Sequence, residues 1–201
     1  MKMKKILVLI FWSVLPGFLW AQADLNPNQR WVEQIDGSFA IPSLSTTAET
    51  NPGLGGDINI GYRLDQNWAL FAGSGYYQYN LSPGAPHTPA LLAYVPLVGI
   101  LRLTFGEGAL HPYVFGGVGI ALNTYSQTSA PGSPVSKINQ AETDLYVAPG
   151  LGILYRIYSG MALFLQARVD LDFTSPHGLG IPLGNPSVFI PLQAGISFFA
   201  L

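Results

Sequence analysis

Along residues 161 to 173 the chain reads Met-Ala-Leu-Phe-Leu-Gln-Ala-Arg-Val-Asp-Leu-Asp-Phe, with an apolar side chain at every odd position and Gln166, Arg168, Asp170 and Asp172 on even ones. Strand side chains alternate between the two faces of a sheet, so a period of two predicts a strand with one greasy and one charged face. Similar runs, or short apolar runs between turn signals, recur at 35–44, 54–63, 68–80, 91–105, 112–124, 143–157, 161–173 and 188–200. These predict eight strands. Residues 64–67, 106–111 and 158–160 form short connections, whereas 45–53, 81–90, 125–142 and 174–187 are longer and rich in Ser, Thr, Pro, Gly and Asn.

Which face meets water decides what kind of protein this is. The chain is 10% charged and 49% hydrophobic, whereas a soluble domain carries roughly a quarter or more of its surface as Lys, Arg, Glu and Asp. A water-facing exterior is hard to build from that composition. The Met-Lys-Met-Lys-Lys start, the apolar stretch from Ile6 to about Trp20 and the small-x-small Ala21-Gln22-Ala23 predict a secretory signal peptide over 1–23. Its apolar part, interrupted by Ser13, Pro16 and Gly17, is short for a membrane-spanning helix. Farther on, no apolar run reaches about eighteen residues, so alternating strands are left to cross a bilayer. The expected fold class is all-β, an up-and-down transmembrane barrel, and an even strand number with short turns on one side and long loops on the other fits it. Residues 24–34 are expected as a periplasmic N-terminal segment and 35–201 as the barrel.

Without the leader, six basic residues face eleven acidic ones, a net charge of −5, with Lys137 as the one lysine. That charge excludes a nucleic-acid partner. Cysteine is absent, which removes disulfides, thiolate metal sites and a lipidated cysteine together. The three histidines are far apart in sequence, and neither a metal nor a cofactor is expected. The glycine clusters at 53–56 and 178–184 read as loop and rim glycines, because a phosphate loop needs a following helix.

Alternation assigns Ile58, Ile60, Tyr62, Val114, Val118, Ile120, Leu122, Leu163, Leu165, Val169 and Leu171 to lipid. The opposite faces collect Asp57, Asn59, Arg63, Arg102, Arg156, Gln166, Arg168, Asp170 and Asp172, with Asp144 near a rim. An Arg on the lipid face near the midplane costs about 2–4 kcal/mol, so these charges belong inside, where each needs a partner. Asp57, Arg63, Arg102, Asp144, Arg156, Arg168, Asp170 and Asp172 are the expected lumen ion-pair network. Arg63, Arg102 and Arg156 are expected near the short turns, and Asp57 or Asp170 is expected to pair with Arg168. The inward glycines Gly117, Gly119, Gly150, Gly152 and Gly195 would leave room for long side chains in a lumen only wide enough for its own residues. A soluble lipocalin-like barrel is the competing fold, but its exterior would be largely bare hydrocarbon.

Aromatic residues predict two interfacial girdles: Trp31, Trp68, Phe105, Tyr113, Tyr155, Tyr158 and Phe198 toward the short turns, and Tyr76, Tyr77, Tyr79, Tyr125, Phe173 and Phe189 toward the long loops. Pro42, Pro96, Pro149 and Pro191 fall inside proposed strands, and local bulges are expected there.

The segment His111-Pro-Tyr-Val-Phe-Gly-Gly-Val-Gly-Ile-Ala, the run Gly150-Leu-Gly-Ile-Leu-Tyr-Arg and the end Ile190-Pro-Leu-Gln-Ala-Gly-Ile-Ser-Phe-Phe resemble the small outer membrane β-barrel superfamily that includes the transmembrane domain of outer membrane protein A. The resemblance implies the architecture and an outer-membrane location with lipid as a partner, and the inward charges in so narrow a lumen predict a plug and a structural or surface-interaction role. An extracellular ligand would be met through loops 45–53, 81–90, 125–142 and 174–187. A narrow channel for ions or small hydrophobic solutes is the alternative. Such families usually finish on an aromatic residue that the assembly machinery reads, whereas this chain ends Phe198-Phe199-Ala200-Leu201, which implies weaker recognition. Two lipid A enzymes are built on similar barrels and need a His beside a Ser at the rim. Among His87, His111 and His177, the nearest approach is Ser175-Pro-His177 with Asp170 or Asp172 behind it. The proline marks a loop turn, so no enzyme is expected.

Overall fold

The computed structural model describes residues 30–42, 49–82, 90–106, 108–128, 137–158, 160–173 and 187–200. They form eight long antiparallel strands: β1 Trp31–Pro42, β2 Gly53–Arg63, β3 Trp68–Ser82, β4 Ala90–Thr104, β5 Leu110–Thr128, β6 Lys137–Tyr158, β7 in two pieces Met161–Arg168 and Asp170–Phe173, and β8 Ser187–Ala200. A two-residue piece, Glu49–Thr50, extends the ladder beside β3. Each strand pairs with its neighbour in sequence, and β1 pairs with β8 from Trp31↔Ala200 to Pro42↔Phe189, so the sheet closes into a barrel. Closure leaves no edge, which is what lets a sheet lie in hydrocarbon with its backbone groups satisfied.

The outward parity of each strand is apolar and exposed. Leu54, Ile60, Leu70, Val118, Leu151 and Leu165 each show more than half of their surface. In a water-soluble domain such side chains would form the core. Within this apolar belt, Glu33 is the one charged residue on the outward parity among the described residues. It pairs across the ladders with Ile60 and Phe198, two positions above the Trp31 and Tyr62 rim.

The turn after β2 is built by Asp65, whose Oδ1 accepts the N–H groups of Asn67 and Trp68 at 2.7 Å each. The same two N–H groups, Trp68's foremost, hold the Asp65 carboxyl below the usual carboxylate range. The β4–β5 turn uses Gly106 and Gly108, at φ of 84° and 90°, a region that L side chains rarely enter.

Several expectations are corrected. β1 begins at Trp31, so residues 31–34 belong to the barrel and not to a preceding segment. The β5–β6 ladder continues to Thr128↔Lys137, so most of the expected loop 125–142 is a paired hairpin arm. The prolines cause no bulges. Val169 donates its N–H to the Pro149 carbonyl at 2.8 Å, and proline has no N–H to return. β7 is interrupted there, yet the register is unchanged from Gly150↔Arg168 to Val147↔Leu171. The ladders likewise resume in register past Pro96 and Pro191, and Pro42 sits at a strand end. A missing donor removes one bond without inserting a residue. Finally, Tyr77, Tyr79, Tyr113 and Phe189 are buried in the lumen core and are not members of girdles.

Candidate functional site

The inward parity converges on Arg168, which is 2% exposed although it carries a full charge. Strand alternation in β7 points Arg168 and Asp170 to the same side, and β2 supplies Asp57 from across the barrel. Arg168 Nε donates to Asp170 Oδ1 at 2.6 Å, Nη2 to Asp170 Oδ2 at 3.1 Å, and Nη1 to Asp57 Oδ2 at 2.7 Å. Nη2 also donates to the Tyr77 hydroxyl at 2.8 Å. Tyr77 in turn donates to Asp57 Oδ2 and Tyr146 to Asp170 Oδ1, at 2.7 and 2.8 Å. This guanidinium is held by two carboxylates and braced by two phenols, the arrangement in which a buried charge is tolerated.

The cluster extends sideways. Gln193 Nε2 donates to Asp57 Oδ2 at 2.5 Å and to Asp36 Oδ1 at 3.1 Å, while Gln193 Oε1 accepts from Gln166 at 2.8 Å. Gln166 Oε1 accepts the Tyr113 hydroxyl at 2.8 Å. Asp36 Oδ1 also accepts the Asp57 backbone N–H at 3.1 Å, where the β1–β2 ladder skips from Ile35↔Ile58 to Ser38↔Gly55. Toward the long loops lies a ring layer: Tyr79 against Phe189 at 4.6 Å, and Tyr94 against Tyr77 and Tyr146 at 5.8 Å each. Small inward residues make this possible. A methyl added at Gly55 would run into the Tyr77 ring, and one at Gly75 into the Asp57 carboxylate.

The residues expected to form one network divide into three levels. Asp57, Arg168 and Asp170 form the ion pairs of the middle level. Above them, Asp144 and Asp172 are joined through Asn123 Nδ2, which donates to both at 2.8 and 2.7 Å. Below, Arg63, Arg102 and Arg156 line a cavity of about 530 Å³ at the short-turn mouth together with His111, Trp68 and Phe199. Among the described residues none of these three arginines forms a salt bridge, so the single ion-pair network is corrected to an acidic upper level, a paired middle and a basic lower level. The physical reason is height. Their strands put them at the end of the barrel opposite to Asp144 and Asp172.

Asp36, Tyr77, Asn123, Tyr146 and Gln193 were missed as site residues. Gln193 carried a signal, as a lone amide sharing parity with Gly195 and Ser197 between apolar neighbours. Ser175, His87 and His177 lie outside the described residues. Asp170 is committed to Arg168 and Tyr146, and Asp172 to Asn123, while His111 sits in the short-turn cavity.

A closed eight-stranded antiparallel barrel with an apolar belt outside and a charged lumen inside is the fold of the small outer-membrane β-barrels. Solved structures agree. A major outer membrane protein from Thermus thermophilus superposes with a TM-score of 0.64 at 12% identity, over 84% of this chain and 99% of that one. Neisserial surface protein A gives 0.59 at 18% identity, over 84% and 96%. Ail, the attachment invasion locus protein of Yersinia pestis, gives 0.53 at 8% identity, over 86% and 99%. No protein-family model matches the chain, and no curated protein matches it in sequence.

Proposed function

We propose that the protein is an integral outer-membrane barrel with a structural or surface-interaction role, its short turns in the periplasm and its long loops outside. Residues 1–23 serve as the export leader in this reading, and lipid is the immediate partner of the belt. The observation that carries the role is the filled cross-section at the level of Arg168. Arg168, Tyr77, Tyr79, Tyr94, Tyr146, Phe189 and Gln193 are all buried there, in a lumen that eight strands make only wide enough for side chains. Such a plug favours a rigid stand for loops over a conduit or a catalyst. The polar end of the β5–β6 hairpin, Asn123–Thr128 against Lys137–Glu142, rises past the belt, and with 45–53, 81–90 and 174–187 it supplies the surface for an extracellular ligand. Ail, of the same fold, has been crystallised with the heparin analogue sucrose octasulfate, which supports such a use of the fold.

Conductance in planar bilayers tests this. The purified protein should give no steady openings, and Arg168→Ala with Asp170→Ala should give more current, not less. Steady wild-type openings that disappear in Arg168→Ala would replace the plug with a channel. Membrane placement is checked separately by fractionation and by heat-modifiable migration on a detergent gel. Recovery in the soluble fraction, with one mobility before and after boiling, would refute it.

A further inference from the structure

Two lumen arginines are equally buried and unequally treated. Arg168 is 2% exposed and has two carboxylates; Arg102 is 5% exposed and has none among the described residues. Arg102 lies instead between two rings, its Cζ 4.4 Å from the centroid of Phe71 and 5.2 Å from that of Tyr113, and its Nε has no hydrogen-bond partner. Cation–π contacts offset part of the desolvation of a guanidinium, but a buried cation without an anion remains expensive. The neighbours deepen the deficit. Arg63 lies within electrostatic reach of both Arg102 and Arg156, with Asp65 the one carboxylate near it among the described residues, and the buried His111 also has an unpartnered Nε2. All four line the cavity of about 530 Å³ that opens between the short turns, a size typical of small-molecule sites.

We propose that this short-turn mouth is a binding site for a small phosphate-class oxyanion, held by Arg102 from within and by Arg63, Arg156 and His111 around the rim. Guanidinium forks match the paired oxygens of such an anion, and Arg102 lines the cavity beside Arg63 and Arg156. Asp65 lies within electrostatic reach of Arg63, but its Oδ1 is bonded to its own turn and it forms no salt bridge with any of these arginines. Glu107, in the adjacent turn, lies outside the described residues and enters the test directly.

The full chain, refolded in a non-ionic detergent without phosphate, is titrated with inorganic phosphate and, in a second arm, with glucose 6-phosphate. Emission from Trp68, which lines the cavity, and the thermal midpoint are the two readouts. Wild type should show saturable responses in both, and tighter binding of the ester would mark the source as a phosphorylated small molecule and not the free ion. Arg102→Met should lose binding at least about ten-fold while unfolding no earlier than wild type without phosphate, since a buried unpaired charge has been removed. Arg156→Gln, at an exposed position, should weaken binding several-fold without disturbing the fold. Lys137→Gln, on the opposite end, should bind as wild type does. No saturable response in wild type overturns the proposal, as does an undiminished response in Arg102→Met and Arg156→Gln. So does a response that emerges only in Glu107→Gln, which would show that the chain fills its own site.

Discussion

Replacing Arg168 with methionine removes the guanidinium but nearly keeps the volume, so it isolates the charge at the middle of the lumen. The bonds to Asp170 at 2.6 and 3.1 Å and to Asp57 at 2.7 Å would go, leaving two carboxylates facing each other where neither is exposed to water by more than 3%. Removing one member of a buried pair costs about 3–5 kcal/mol. Two orphaned acids, with Asp36 also joined to Gln193 nearby, place this case toward the upper end. With a urea dependence of about 2 kcal/mol per molar, the unfolding midpoint should fall by about 2 M. The assay is equilibrium unfolding in urea in lipid vesicles, with the folded fraction read from gel mobility. The triple variant Arg168→Met, Asp57→Asn, Asp170→Asn removes all three charges and should regain about half of the loss or more, because the penalty lies in the uncompensated acids. A midpoint shift under about 0.5 M in the single variant, or a triple variant less stable than the single one, would refute the reasoning.

Other perturbations follow from the same geometry. Gly75→Ala forces the Asp57 carboxylate off its place against Arg168 and should cost about 1–3 kcal/mol in the same unfolding assay; a neutral result would mean that Asp57 is not held there. Leu165→Arg, on an outward position 62% exposed, should cost about 2–4 kcal/mol in vesicles if lipid covers that face, whereas Glu33→Leu near the rim should change stability by no more than about 1 kcal/mol; equal effects would contradict the belt. The Asp65 carboxyl is held below its ordinary value of 3.8 by the Trp68 and Asn67 N–H groups, so its contribution is full above that value and is lost as pH falls through the lower folded one. Wild type and Asp65→Asn should therefore differ in midpoint at neutral pH and converge in strong acid, and a difference that persists there would disprove the charge-based turn.

What the residues reveal depends on whether a single parity is marked. In 161–173 four polar side chains share even numbers, and the faces can be read directly. In β3 the tyrosines occupy both parities, with Tyr76 outside and Tyr77 and Tyr79 inside, and aromaticity alone led to a girdle for all three. Strand ends were obscured where β5 and β6 leave the belt: polar residues on both faces erase the period of two while backbone pairing continues to Thr128↔Lys137. The prolines misled in a different way, since a sequence does not distinguish a lost bond from an inserted residue. Inward charges were readable one by one, yet their grouping needs relative height around the cylinder, which comes from strand stagger. That is why parity, which Arg102 shares with Arg168, places both inside but does not tell that only Arg168 of the two is salt-bridged among the described residues.

The vertical sorting of charge gives the lumen an electrical polarity. Carboxylates of Asp144 and Asp172 stand at one end and the guanidiniums of Arg63, Arg102 and Arg156 at the other, like the two halves of a diode joined at Arg168. A cation drawn in by the acidic half would be repelled by the basic one, and an anion entering from the other end would meet the reverse. Any conduit opened by dismantling the junction would therefore inherit a preferred direction, and its current would rectify.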